Sequence, residues 1–135
     1  MASFHLQIAT ADGLVFDGEA DRLVVRTTEG DVGILRGHID YLAALQDVSV
    51  LRLTCGGETR VAAVSGGFVS VSRELTLVNA ITLEWSDQID KARAQSAKEQ
   101  AQAALRERKQ KDQEYRMLEM KLKRALNRIR VAEKE

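Results

Sequence analysis

Apolar residues alternate with polar ones through residues 1–85 and recur every third or fourth position through residues 86–135. Phe4-His5-Leu6-Gln7-Ile8 has the period of two of a strand with one buried face, and Gly13 turns the chain into Leu14-Val15-Phe16. Leu23, Val24 and Val25 fill a run from Arg22 to Thr28, ahead of Glu29-Gly30. Further runs follow at Val48 to Thr54, Arg60 to Val64, Phe68 to Ser72 and Leu75 to Val78. With no helical period between them, an antiparallel sandwich or barrel is expected, with Leu6, Ile8, Val24, Leu51, Leu53, Val69, Val71 and Leu77 inside. Ser65-Gly66-Gly67 reads as a turn between two of the strands.

From Ser86 onward the pattern is helical, and every glycine lies at or before Gly67. Tyr115, Leu118, Leu122, Ala125, Ile129 and Ala132 form one stripe, and Ala94, Ala97, Ala101 and Ala104 form a second made of small side chains. A small stripe facing a large one lets two helices approach closely, so an antiparallel hairpin turning near Lys109 to Asp112 is expected. That turn holds neither Gly nor Pro, which leaves one continuous helix open as the alternative. Asp87 is the expected N-cap of the first helix, with Asp90 three residues on, both suiting its positive end.

Charge changes the picture. Residues 1–85 carry 6 basic and 11 acidic side chains, residues 86–135 carry 14 and 9, so an acidic head precedes a basic tail. This asymmetry points to acidic partner surfaces for the tail or to docking of the two parts, with nucleic acid a weaker option. A lone Cys55 excludes an internal disulfide, and no run approaches the ~18 apolar residues of a membrane span, so a cytoplasmic protein that meets membranes only through partners is expected. No catalytic or metal-binding constellation is visible: one Cys and two His build no zinc site, there is no P-loop, and Ser65 lacks the glycine two positions earlier that a nucleophile elbow needs. His5 is expected to point outward, and His38 to serve an interface or cap a loop.

The segment from Thr28 to His38, Thr-Glu-Gly-Asp-Val-Gly-Ile-Leu-Arg-Gly-His, resembles the loop-bearing segment of the epsilon subunit of bacterial F-type ATP synthases, called delta in mitochondria. The likeness extends to Phe4-His5-Leu6, Val15-Phe16-Asp17-Gly18, Val64 to Phe68 and Leu122 to Arg128, in order along essentially the whole chain. It implies a ten-stranded β-sandwich over residues 1–85 that binds the gamma subunit and the ring of membrane c subunits. A helical hairpin over residues 86–135 would follow, regulating the catalytic alpha/beta hexamer. The implied role is non-catalytic: coupling rotation to synthesis and restraining ATP hydrolysis at the cytoplasmic face of the bacterial membrane, with no insertion into it and no required cofactor.

Glu29 and Asp31 would present carboxylates to the ring, the neighbouring Gly37-His38 would face gamma, and Arg36 and Asp40 belong to the same implied ring and gamma interface; as ordinary turn residues the acids would simply be solvated. Arg36 and Asp40 stand where many members carry proline. The basic residues Arg116, Lys121, Lys123, Arg124 and Arg128 are the expected inhibitory surface of the tail. In a hairpin turning near residue 110, Arg93 falls opposite the neighbourhood of Arg128, one turn from Asp90, and Arg124 joins them at the open end. Ile89 to Ala94 resembles the ATP-binding motif of some epsilon subunits, Glu84 aligns with a position of that site, and Gln100 stands where a further arginine can occur. ATP bound by Glu84, Asp90, Arg93, Arg124 and Arg128, or a salt-bridge network between Asp90 and the arginines, are the two readings. A stand-alone nucleotide-sensing sandwich and a basic-helix nucleic-acid binder remain the alternatives from other classes.

Overall fold

The computed structural model describes residues 2–107 and 113–133 and divides into two compact units, residues 1–85 and 86–135. The first holds strands β1 (Phe4–Thr10), β2 (Gly13–Ala20), β3 (Arg22–Thr27), β4 (Gly30–Ile34), β5 (Tyr41–Ala44), β6 (Ser49–Cys55), β7 (Glu58–Val71) and β8 (Thr76–Trp85). The second holds a 3-10 turn (Ser86–Gln88) and helices α1 (Lys91–Arg106) and α2 (Gln113–Ala132).

The ladder runs β2-β1-β8-β7-β6-β3-β4, with β5 added to β7, and among the described residues only β1 and β8 pair in parallel. Strands three steps apart on a flat sheet lie roughly 14 Å apart. Yet Leu6 and Ile8 of β1 and Leu51 and Leu53 of β6 belong to one buried cluster, because the ladder folds over into two layers. The fold-over is built into β7. Its first half pairs with β6 as far as Val64, its second half pairs with β5 from Phe68, and β8 follows along both. Ser65-Gly66-Gly67 therefore lies within a strand, at its bend, and is not a turn between strands; Gly66 (φ 55°) and Gly67 (φ 103°) supply the conformations a side chain would resist.

Merging the Arg60 to Val64 and Phe68 to Ser72 runs into one strand of 14 residues is one reason the described sandwich has eight strands where ten were expected. Two core assignments also change. Val24 pairs with Arg52 and Gly33 and Leu77 pairs with Gln7 and Ser70, which puts both on the outer face, half-buried. The core rows are instead Leu53-Leu23-Ile34 and Ile8-Val78-Val69. In Leu23-Val24-Val25 and Leu75-Thr76-Leu77-Val78 either phase of the two-residue period has apolar members, and a one-residue slip exchanges the faces.

In the helical unit the pair Lys91 Nζ–Glu133 Oε1, at 2.6 Å, brings the start of α1 beside the end of α2, so the two helices are antiparallel. Ala94 and Ala101 of α1 and Ala125 of α2 are buried, as a close approach through small residues requires. The expected turn near Lys109 to Asp112 lies outside the described residues. The cap of α1 is Asp90, not Asp87: Asp90 Oδ1 accepts from the Arg93 backbone N–H at 3.1 Å, while Asp87 sits one turn earlier in the 3-10 segment.

Candidate functional sites on the sandwich and between the helices

On the sandwich, the β3–β4 turn is organised from within by Thr27, which is fully buried. Its hydroxyl donates to the Gly30 carbonyl at 2.9 Å and accepts from the Glu29 N–H at 3.1 Å, leaving the Glu29 side chain exposed at the tip. Asp31 is placed differently. Arg26 Nε donates to Asp31 Oδ1 at 2.8 Å across the hairpin, and that bond holds the Asp31 carboxyl below the usual carboxylate range and pushes the Arg26 guanidinium up. Of the two acids, Asp31 is held in an ion pair and Glu29 forms none among the described residues.

Between β4 and β5 the chain turns at Gly37 (φ 85°), with the His38 N–H donating to the Leu35 carbonyl at 3.1 Å. His38 Nδ1 donates to its neighbour's carbonyl, Ile39 O, at 2.7 Å, and the ring meets Tyr41 edge-on at 5.8 Å between centroids. Arg36, His38 and Asp40 line one open cleft of about 730 Å³, together with His5 of β1, whose Nε2 lies 2.7 Å from Asp17 Oδ1. Glu29 and Asp31 do not line that cleft.

Beside these residues lies an uncharged, partly apolar surface. Ile39 is 78% exposed and Leu42 73%, with Leu35 also exposed. The ladder rows Leu42-Ser70-Leu77-Gln7 and Ala44-Phe68-Asn79-Ala9 cross four strands without a charged side chain. Exposed apolar faces of this kind mark partner surfaces. The signal in the sequence was Tyr41-Leu42-Ala43-Ala44, too short and too evenly apolar to reveal which phase faces out.

Between the helices lies a groove of about 500 Å³ floored by alanines and edged by Gln100 of α1 and Lys121, Arg124 and Arg128 of α2. With Lys91 level with Glu133, Gln100 is level with Arg124, and Arg93 is level with residue 131, about one turn beyond Arg128. The groove therefore collects Arg124 and Arg128 of the expected cluster, and its lining includes neither Asp90, which caps α1, nor Arg93. Glu84 is on β8, in the other unit. Arg116 and Lys123 are exposed on α2 outside the groove. No helix among the described residues is long and apolar enough to cross a membrane, and no group of three or more His, Cys, Asp or Glu there is arranged to hold a metal.

Two family descriptions divide the chain between them: "ATP synthase, Delta/Epsilon chain, beta-sandwich domain" matches residues 3–86, and "ATP synthase, Delta/Epsilon chain, long alpha-helix domain" matches residues 87–133. The chain belongs to the delta/epsilon family of ATP synthase subunits. Relatives named ATP synthase epsilon chain include one from Ruminococcus albus, 41% identical over all of both chains. Another, from Caldanaerobacter subterraneus subsp. tengcongensis, is 39% identical over 98% of this chain and 95% of its own length. Among solved structures, a chain of the Euglena gracilis mitochondrial ATP synthase (OSCP/F1/c-ring) superposes with a TM-score of 0.80 at 23% identity, covering 94% of this chain and 79% of that one. A chain of the Tetrahymena thermophila mitochondrial enzyme (central stalk and c-ring) gives 0.53 at 16% identity, covering 69% and 70%. At those identities the likeness establishes a shared fold.

Proposed function

We propose that this delta/epsilon-family chain is a non-catalytic rotor subunit of a proton- or sodium-translocating ATP synthase, seated peripherally at the cytoplasmic face of the bacterial membrane. The observation that carries the proposal is the ordered match of both halves of the chain to the two domains of one family. The sandwich joins gamma to the c-ring: Glu29 at its exposed tip suits polar loops of the ring, and the uncharged face around Leu42 and Phe68, with Arg36, His38 and Asp40 beside it, suits a large protein partner. The helical unit restrains ATP hydrolysis through Arg116, Lys121, Lys123, Arg124 and Arg128, four of them exposed, which suit acidic surfaces of the alpha/beta hexamer. ATP acts as a regulatory ligand that contacts both helices and so favours the folded hairpin. The motif Ile89 to Ala94 and the pair Arg124 and Arg128 support that part; Asp90, Arg93 and Glu84 belong to it through the resemblance alone.

The test is reconstitution. The tagged chain is expected to retain gamma and the catalytic hexamer in a pull-down, and neutralising Arg116, Lys123 and Arg124 together is expected to raise ATP hydrolysis several-fold with synthesis little changed. Failure to retain gamma overturns the coupling role, and unchanged hydrolysis overturns the electrostatic account of inhibition.

A further inference from the structure

The α1–α2 groove has a charge distribution that the expected cluster did not contain. Its edge carries Lys121, Arg124 and Arg128 at positions i, i+3 and i+7 of α2, which places the three cations on one face over roughly 10 Å of helix. Among the described residues no carboxylate lines the groove. Neither Lys121 nor Arg124 forms an ion pair among the described residues. Across the groove stands Gln100, neutral and level with Arg124. At about 500 Å³ the groove has the size of a small-molecule site.

We infer that Lys121 is a phosphate-contacting residue of this groove and supplies the cation that Gln100 does not. The inference rests on the proposed ATP reading and changes its membership: the triphosphate lies along Lys121, Arg124 and Arg128, with Gln100 hydrogen-bonding from the opposite helix, and Asp90 acts by capping α1. A lysine binds phosphate as a flexible point charge. The contact is therefore made chiefly to charge, and adenine contributes little to it.

Calorimetry on the purified chain tests this with ATP, ADP and inorganic tripolyphosphate as probes. Lys121→Gln is expected to weaken ATP on the order of fivefold, the size of one partly exposed charge contact. The relocated charge, Lys121→Gln with Gln100→Arg, is expected to restore affinity to within about twofold. Tripolyphosphate is expected to lose affinity with Lys121→Gln in the same proportion as ATP; loss confined to ATP would place Lys121 against the nucleoside and overturn the assignment. Binding of ATP that Lys121→Gln leaves unchanged overturns the inference while sparing the ATP reading. Absence of binding by the unmodified chain at millimolar ATP overturns both. Unchanged far-ultraviolet circular dichroism of each variant excludes loss of helix as the cause of weaker binding.

Discussion

Replacing Gly67 with alanine tests whether the bend in β7 is as tightly determined as the geometry implies. A Cβ there would stand 1.9 Å from the Asn79 carbonyl oxygen and 2.8 Å from Ala80 Cα, both backbone atoms of β8 that no rotamer change can move. Gly13 is a matched control: its φ of 115° is close to the 103° of Gly67, and an alanine Cβ there would meet nothing within 4 Å. The shared cost of placing a side-chain residue at positive φ is about 1–2 kcal/mol, and Gly13→Ala should show only that. At Gly67 the strands must also part, which adds at least the ~1–3 kcal/mol of an overpacked core and loosens the ladder rung Gly67–Ala80. A total of about 2–5 kcal/mol would consume a large share of a stability on the order of 5–15 kcal/mol. Trp85, the one tryptophan of the chain, is buried at the end of β8 and reports unfolding of the sandwich in urea. Gly67→Ala and Gly13→Ala agreeing within about 0.5 kcal/mol, the usual scatter of such measurements, would refute the steric argument.

Two further outcomes follow from the ion pairs. Because Arg26 lowers the Asp31 pKa, the contribution of the pair is present above the ordinary aspartate value of about 3.9 and fades as pH falls through the lowered one; with both side chains exposed it amounts to less than about 1 kcal/mol. The stability difference between the unmodified chain and Asp31→Asn in urea melts is thus expected to shrink as pH falls below about 4, and a difference that grows there would reverse the sign of the argument. For Lys91 and Glu133, a double-mutant cycle with Lys91→Met and Glu133→Gln should return a coupling of about 0.2–1 kcal/mol that shrinks in high salt, and zero coupling at low salt would remove the contact as a fastening of the helix ends.

The two-part architecture was legible because the evidence for it is redundant: glycines end at Gly67, and strand period gives way to helix period at Ser86. What escaped was set by pairing. Val24 faces out because its rung partner is Arg52, and Leu77 because its partners are Gln7 and Ser70; none of these is adjacent in sequence. Ser65-Gly66-Gly67 has the composition of a turn, but the glycines that make a turn also let one strand change partners. In the helical part the residue types were visible and their axial level was not. The Lys91–Glu133 contact shifts Arg93 a turn past Arg128, a displacement of about 5 Å that separates a residue from a groove. Asp90 was legible as an acid near the helix start, but whether it or Asp87 caps depends on where the 3-10 turn ends.

The parallel pairing of β1 with β8 also imposes an order in time. Leu6 must find Thr76, 70 residues later, before the first strand has its inner neighbour. At 5–20 residues per second, synthesis leaves that partner missing for roughly 4–14 s. Over that interval β1 can pair only with β2, as a two-stranded hairpin that is marginal on its own and exposes Leu6 and Ile8, both later fully buried. The last strand made is thus the one that closes the sandwich, and a nascent chain stalled before Thr76 presents a bare strand edge for other chains to join.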